Sequence, residues 1–551
     1  MKRWVLGLSA GAALLIHFTT PSVSADKGGL GSARFHLVEA TVPQMLKAMQ
    51  TRLITAEQLV GMYLARIAAY DDAGPAVNAF IHVNADALEE ARQNDIHRRP
   101  GLPRRSLEGI PVALKDIIDT ADMPTTGGSL SLEGSIPPDD AFITRKLREA
   151  GAIIIGKATL TEFANFIAIG MPAGYSSLGL YGFNPYDPRP LPGGDGRPVL
   201  TTGGSSSGSG IVVNANLAAL AVGTETSGSI LSPASANGIV GIKPTVGLVS
   251  RDGIIPITAD QDTAGPMART VTDAAILLGV LAGYDPGDPA TAACLEPGTC
   301  FDDYTRFLDR KALRGARIAV PPFPANRADI MNNAMAVLRA QGAHVELIPA
   351  LPAPPGICVA YPAPPGCSTV LMYGQKRDFN AYLATRPTAP VQSLADVIAF
   401  NAVTPGALKY GQAIFEAAQQ LDLSPGSADT ARYLADLAAD RTISRGGLDD
   451  VYNGPDDVWG TDDDFDAILF SGNSGAGTPA KAGYPSITVP GGFVPATDPI
   501  VNPFPSGVTF SGPAFSEPRL IGLAYAFEQA TRYRVPPAST PPLPGDVVSR
   551  R

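Results

Sequence analysis

Short, almost wholly apolar runs recur through the first half of the chain. They are Gly109-Ile110-Pro111-Val112-Ala113-Leu114, Ala152-Ile153-Ile154-Ile155-Gly156, Leu217–Val222 and Gly238–Lys243. Each is too short for a helix that buries itself and too continuously apolar for a strand with one wet face. Such runs belong to strands covered on both sides. A helical stretch about Ala141–Ala150, with Arg145, Lys146 and Arg148, separates the first two, so the succession predicts an α/β fold around an internal sheet. With 551 residues, 45% hydrophobic and 17% charged, the chain has enough apolar mass for a large core. The region from about Ala40 to Asn94 reads as helical: Thr55 caps a helix whose Leu59, Tyr63, Leu64 and Ile67 share one face. His36, His82 and His97 fall in helix or loop on this reading, and His344 in a strand. Further helices are expected about Ser393–Leu421, Asp429–Ala439 and Leu520–Tyr533, and a strand within Ala482–Pro490. Phe183–Pro198 and Pro349–Pro365 read as Pro-rich exposed loops.

The first 25 residues have the layout of a secretory signal peptide: Lys2 and Arg3, the apolar stretch Trp4–Ile16, then Val23-Ser24-Ala25 before Asp26. The apolar stretch is shorter than the ~20 residues a membrane span needs, and no other stretch is long and apolar enough to cross a bilayer. The expected location is therefore secreted or periplasmic, with no membrane association once the leader is removed. A net charge of −10 without a strong basic run argues against nucleic acid as a partner. The four cysteines, Cys294, Cys300, Cys358 and Cys367, suit disulfides in that compartment. Three pairings are open, the local pairs being the simplest. Their spacing does not give the paired C-x-x-C ligands of a zinc site and no histidine is near, so no metal is expected.

Two serine–glycine loops flank one apolar segment: Gly203-Gly204-Ser205-Ser206-Ser207-Gly208-Ser209-Gly210 and Gly223-Thr224-Glu225-Thr226-Ser227-Gly228-Ser229. A serine nucleophile at neutral pH needs a base in hydrogen-bond reach. None of the five histidines (His17, His36, His82, His97, His344) lies near either loop in sequence. A lysine is the alternative base, and Lys115 ends the first apolar run. Lys157 and Lys243 also end or follow apolar runs, so position alone does not separate the three; capping or structural roles suit these two. Two competing readings concern the first loop. A flexible Gly/Ser linker is disfavoured because Ile211-Val212-Val213 follow at once. Gly204–Gly208 also fits the G-x-S-x-G elbow of α/β-hydrolases, with Ser206 as nucleophile and His344 as the one downstream histidine.

These loops, with Gly241–Ser250, Gly109–Asp116, Gln261–Arg269, Ala482–Pro490 and Ser516-Glu517-Pro518, resemble the amidase signature family, within it most closely the bacterial peptide amidases. The resemblance runs from about Thr41 to Tyr533. It implies a large mixed central sheet with helices on both faces, one compact catalytic domain over 26–551 and a signature core about 105–280. It also implies a serine amidohydrolase acting through an acyl-enzyme with a Ser-Ser-Lys triad. Carried over, Ser229 is the nucleophile, Ser205 (after a cis peptide) relays the proton and Lys115 is the base. Ser206 supports the lysine, and the N–H groups of Thr226, Ser227, Gly228 and Ser229 form the oxyanion hole. Asp116 and Asp262 are expected in structural hydrogen bonds, and Ser207 and Ser227 as loop formers. No cofactor is implied. The expected substrates are peptide C-terminal amides, with ammonia released; aryl or alkyl amides are the alternative within the family. A cytoplasmic tRNA-dependent transamidase, which the leader argues against, and an inactive secreted binding relative are the others. The Phe183–Pro198 loop and the Cys358–Cys367 insertion depart from the usual pattern and are expected at the pocket mouth.

Overall fold

The computed structural model describes residues 33–97, 105–454, 456, 460–461 and 463–550; the expected leader lies outside them. Eleven strands form the central sheet. In chain order they are β1 (Phe80–Val83), β2 (Pro111–Lys115), β3 (Ile153–Ala158), β4 (Leu220–Glu225), β5 (Val240–Lys243) and β6 (Thr263–Ala268). Then follow β7 (Arg317–Val320), β8 (His344–Leu347), β9 (Ala467–Ser471), β10 (Ser486–Val494) and β11 (Phe504–Ser511). Across the sheet the order is β8-β7-β9-β11-β10-β5-β6-β4-β2-β3-β1. Parallel pairings β3-β2-β4 and β8-β7-β9 flank an antiparallel middle, and β1 closes one edge antiparallel to β3.

Every residue of β2 through β6 is buried. Successive side chains of a strand point to opposite faces, so both faces of this part of the sheet are covered. That is why the four runs lack polar alternation. The wholly buried helix Ser207–Asn214 packs against β2, β3 and β4, and the closing helix Glu517–Thr531 against β10 and β11.

The segment Ala40–Asn94 is not helical throughout. Helices Val42–Gln50, Ala56–Tyr70 and Ala87–His97 are interrupted by β1, which carries His82, and His36 lies in a terminal strand. Capping boxes Thr41/Gln44 and Thr55/Gln58 start the first two helices. The expected helix about Ser393–Leu421 splits into Leu394–Val403 and Ala413–Gln420, because Pro405-Gly406 lies between, with Gly406 at φ 89°. The next helix is longer than expected and spans Ala428–Tyr452. Phe183–Pro198 is exposed only from about Arg189 onward; Asn184 and Asp187 are buried. Disulfides join Cys294 to Cys300 and Cys358 to Cys367. Among the described residues no helix is long and apolar enough to cross a membrane.

Candidate active site

Strands β2 and β4 are parallel neighbours with Leu114 opposite Val222, so their ends bring Lys115 beside Thr224. The Lys115 amine is fully buried. Its Nζ lies 2.8 Å from Ser205 Oγ, 2.8 Å from Thr224 Oγ1 and 3.5 Å from the Thr224 carbonyl. Ser205 follows a cis Gly204–Ser205 peptide, and its carbonyl accepts from the Thr161 N–H at 3.0 Å. Where β4 ends, the Glu225 carboxylate curls the chain back. Oε1 accepts from the Gly228 N–H (2.7 Å), and Oε2 from Ile230 (2.7 Å) and Leu231 (3.0 Å). Ser229 stands on this turn, 8% exposed, and its carbonyl accepts from the Ser206 N–H at 3.1 Å. The two serine loops are thereby tied together over the end of β2.

Burial pushes the Lys115 amine down to about 7, against the opposing pull of Asp262 and Glu225. Burial also brings Lys157 and Lys243 down to about 8. Their surroundings differ. Lys157 Nζ donates to Thr125 Oγ1 and the Pro124 carbonyl and stands 3.5 Å from Asp116; Lys243 Nζ donates to the Tyr484 and Pro244 carbonyls. Contact with a serine hydroxyl, not desolvation, therefore sets Lys115 apart. Asp116 accepts from the Thr126 N–H and hydroxyl. Asp262 accepts from the Thr226 hydroxyl and from the Ile257 and Thr258 N–H groups. Ser207 Oγ donates to the Ser205 carbonyl.

Three expectations need correction. Ser206 Oγ does not support Lys115 directly: it donates to the Thr224 carbonyl (3.0 Å) and accepts from the Thr224 N–H (3.1 Å), so it acts on the lysine through Thr224. The Gly228 N–H, one of the four donors expected for an oxyanion, already serves the Glu225 carboxylate. The elbow reading fails on distance. His344 lies on edge strand β8, seven strand positions from β4, which at ~4.8 Å per position is over about 30 Å.

Thr224, Glu225 and Gln261, whose Nε2 donates to the Thr226 carbonyl at 2.7 Å, were not singled out from sequence. An acid directly before a serine–glycine turn was the available signal for Glu225, since a carboxylate there can collect the N–H groups of the turn.

Two openings approach the site. A cavity of about 570 Å³ reaches the lysine side through Thr224, Thr226 and Asp262, with Arg251, Asp378 and Tyr382 among its walls. A cleft of about 260 Å³ is lined by Gly203 of the first serine loop and Ser232 of the helix Leu231–Ala236 that follows the second, and by Arg327, Asn473 and Phe504. Neither wall draws on Phe183–Pro198 or Cys358–Cys367, expected at the mouth. The tip of the first is instead fastened elsewhere: Lys409 Nζ donates to the Asp195 carbonyl at 2.8 Å, and the Tyr410 hydroxyl to its carboxylate.

Residues 58–363 match the Amidase family model. The chain is 39% identical over 518 residues to an Arabidopsis thaliana protein described as a probable amidase, covering 92% of this chain and 93% of that one. It is also similar to the crystal structure of the native peptide amidase from Stenotrophomonas maltophilia, at 39% identity and a TM-score of 0.78, over 91% of this chain and 98% of that one. The crystal structure of an amidase family protein from Bacillus anthracis is 34% identical with a TM-score of 0.79, over 91% of this chain and 92% of that one. The chain belongs to the amidase signature family and is a hydrolase acting on amide C–N bonds.

Proposed function

We propose that Ser229, Ser205 and Lys115 form a Ser-Ser-Lys triad that hydrolyses primary carboxamides, in particular the C-terminal amides of peptides, with release of ammonia. The observation that carries this reading is the buried, desolvated amine 2.8 Å from Ser205 Oγ, with the Ser229 turn tied to the same loop. Neutral Lys115 takes the proton of Ser205 as Ser205 takes that of Ser229, and Ser229 Oγ attacks the carboxamide carbon. The N–H groups of Thr226, Ser227 and Ser229 meet the oxyanion. Collapse breaks the C–N bond while Ser205 delivers a proton to the departing nitrogen, and ammonia leaves. Water, deprotonated by the same relay, then attacks the ester carbonyl, releases the acid and returns the proton to Ser229. Peptide amides are favoured over aryl amides because the peptide amidase shares 39% identity with this chain over 91% of its length. We also propose that residues 1–25 direct export, which the two disulfides suit.

The test is ammonia release from a panel of amidated peptides and aryl or alkyl amides, with the acyl-enzyme trapped and its site mapped by mass spectrometry. Peptide amide turnover, an adduct on Ser229 and complete loss in Ser229→Ala are expected. An adduct on another serine, or hydrolysis confined to aryl amides, overturns the assignment.

A further inference from the structure

The two openings differ in how their arginines are paired. The larger cavity is walled by six aspartates and two arginines, and both arginines, Arg251 and Arg386, already hold aspartates, so no wall guanidinium is free for an incoming acid. The cleft beside the first serine loop has one charged wall residue, Arg327. No described carboxylate pairs with that guanidinium. Its Nη1 donates only to the neighbouring Asn326 carbonyl (3.1 Å), and it lies 5.9 Å above the Phe504 ring. The cleft touches the first serine loop at Gly203, two residues before Ser205, and at Ser232 the helix Leu231–Ala236 that follows the second loop, three residues past Ser229. On its wall Asn473 faces the nucleophile turn: a side chain added at Gly228 would meet Asn473 Nδ2 at 3.3 Å. The remaining polar wall groups include Ser235, Ser474 and Ser506, which suit the carbonyl and N–H groups of an extended chain.

Building on the triad reading above, we infer that this cleft receives the acyl portion of the substrate and that Arg327 selects peptide amides with a carboxylate side chain preceding the terminal residue. An arginine held half-exposed, unpaired and beside an aromatic ring keeps its planar donors free for a substrate acid. A substrate lysine at the same place would meet like charge, and a glutamine would lose only the charge-assisted part of the bond.

The experiment uses N-acetyl tripeptide amides with Glu, Gln or Lys at either position before the terminal residue, and N-acetyl-phenylalaninamide as the short control. Wild-type kcat/KM is expected to favour Glu over Lys by about two- to fivefold, as a partly exposed ion pair allows, with the ratio shrinking as salt is raised. Arg327→Gln should bring the ratio to near one and Arg327→Glu should invert it, both leaving the short control unchanged. Melting curves establish that the variants fold. Equal turnover of the Glu and Lys peptides, or a preference that survives in R327Q, overturns the cleft assignment and leaves the triad untouched. Hydrolysis of aryl amides with no peptide amide cleaved overturns both.

Discussion

A single amine carries the chemistry at the residue scale. With an ordinary lysine pKa of about 10.4, fewer than about one Lys115 in a thousand would be neutral at pH 7. Burial brings it to about 7, so roughly half is available as base. The competent form is the deprotonated one, and its share grows with pH. A plot of log kcat/KM should therefore rise through an apparent pKa near 7 and level off above about 8. Lys115→Arg, whose guanidinium stays charged, should lose turnover at every pH in that range. A flat profile between pH 5 and 9 contradicts the role. Position along the chain makes this residue one candidate of three, since three lysines end or follow apolar runs, and the family resemblance makes the choice. What separates them in the structure is the Ser205 hydroxyl, which only the fold brings to the Lys115 amine. Once the amine is neutral, its two hydrogens have Thr224 Oγ1 and the Thr224 carbonyl as acceptors at 2.8 and 3.5 Å, which leaves the lone pair for the Ser205 hydroxyl.

The element that matters most is the turn leaving β4. Glu225 is buried, and three backbone N–H groups that would otherwise be unsatisfied converge on it. Burial pushes its carboxyl up, while nearby Lys243 and those N–H bonds work against the shift. In Glu225→Gln one oxygen becomes an NH₂ that faces donors, so at least one N–H loses its acceptor, at a cost of about 1–3 kcal/mol. The turn carrying Ser229 should shift, and misplacement of reacting groups by ~1 Å costs on the order of 10²-fold in rate. Steady-state kinetics on a peptide amide should show kcat down by about that factor with KM little changed, and urea melts should show the stability loss. An unchanged kcat would remove the turn-setting role. Strands β2 to β5 are legible in sequence because they are almost wholly apolar, whereas β6 beside β4 is not. Strand β11 was not, since Phe504–Ser511 carries Ser506, Thr509 and Ser511 inside the sheet. Cross-strand hydroxyl pairs satisfy two of them, Thr488 with Thr509 at 2.6 Å and Ser486 with Ser511 at 3.1 Å. Nor was β1, where only Phe80 is fully buried and the four residues show no clear period.

The whole molecule is closed by contacts no local pattern announces. Strand Ala33–His36 pairs antiparallel with Val547–Arg550, joining the two ends of the described chain. Beneath it Arg66, fully buried on helix Ala56–Tyr70, binds three distant parts at once. Nε and Nη2 donate to the Asn216 and Ala215 carbonyls at 2.8 and 2.9 Å, just past helix Ser207–Asn214. Nη2 and Nη1 reach the Thr540 and Pro541 carbonyls, and Nη1 pairs with Asp546 at 2.6 Å. The helix that begins in the first serine loop is thus held to the C-terminal tail through one guanidinium. Reading Ala56–Tyr70 as an amphipathic helix gives its apolar face, but an arginine within it looks like a solvent residue until the tail is placed. Arg66→Met removes the charge and leaves the Asp546 carboxylate and several carbonyls without their donor, and breaking a buried pair this way costs about 3–5 kcal/mol. Arg66→Lys keeps the charge but cannot span the same five acceptors, so it should recover only part of that loss. Asp546→Asn should cost less than Arg66→Met, because the four carbonyl bonds to the guanidinium survive. Denaturant melts of the three variants should give that order, with kcat of the folded fraction close to the parent because none of these groups touches Lys115, Ser205 or Ser229. A Met variant as stable as the parent would mean the tail is held by its strand pairing alone.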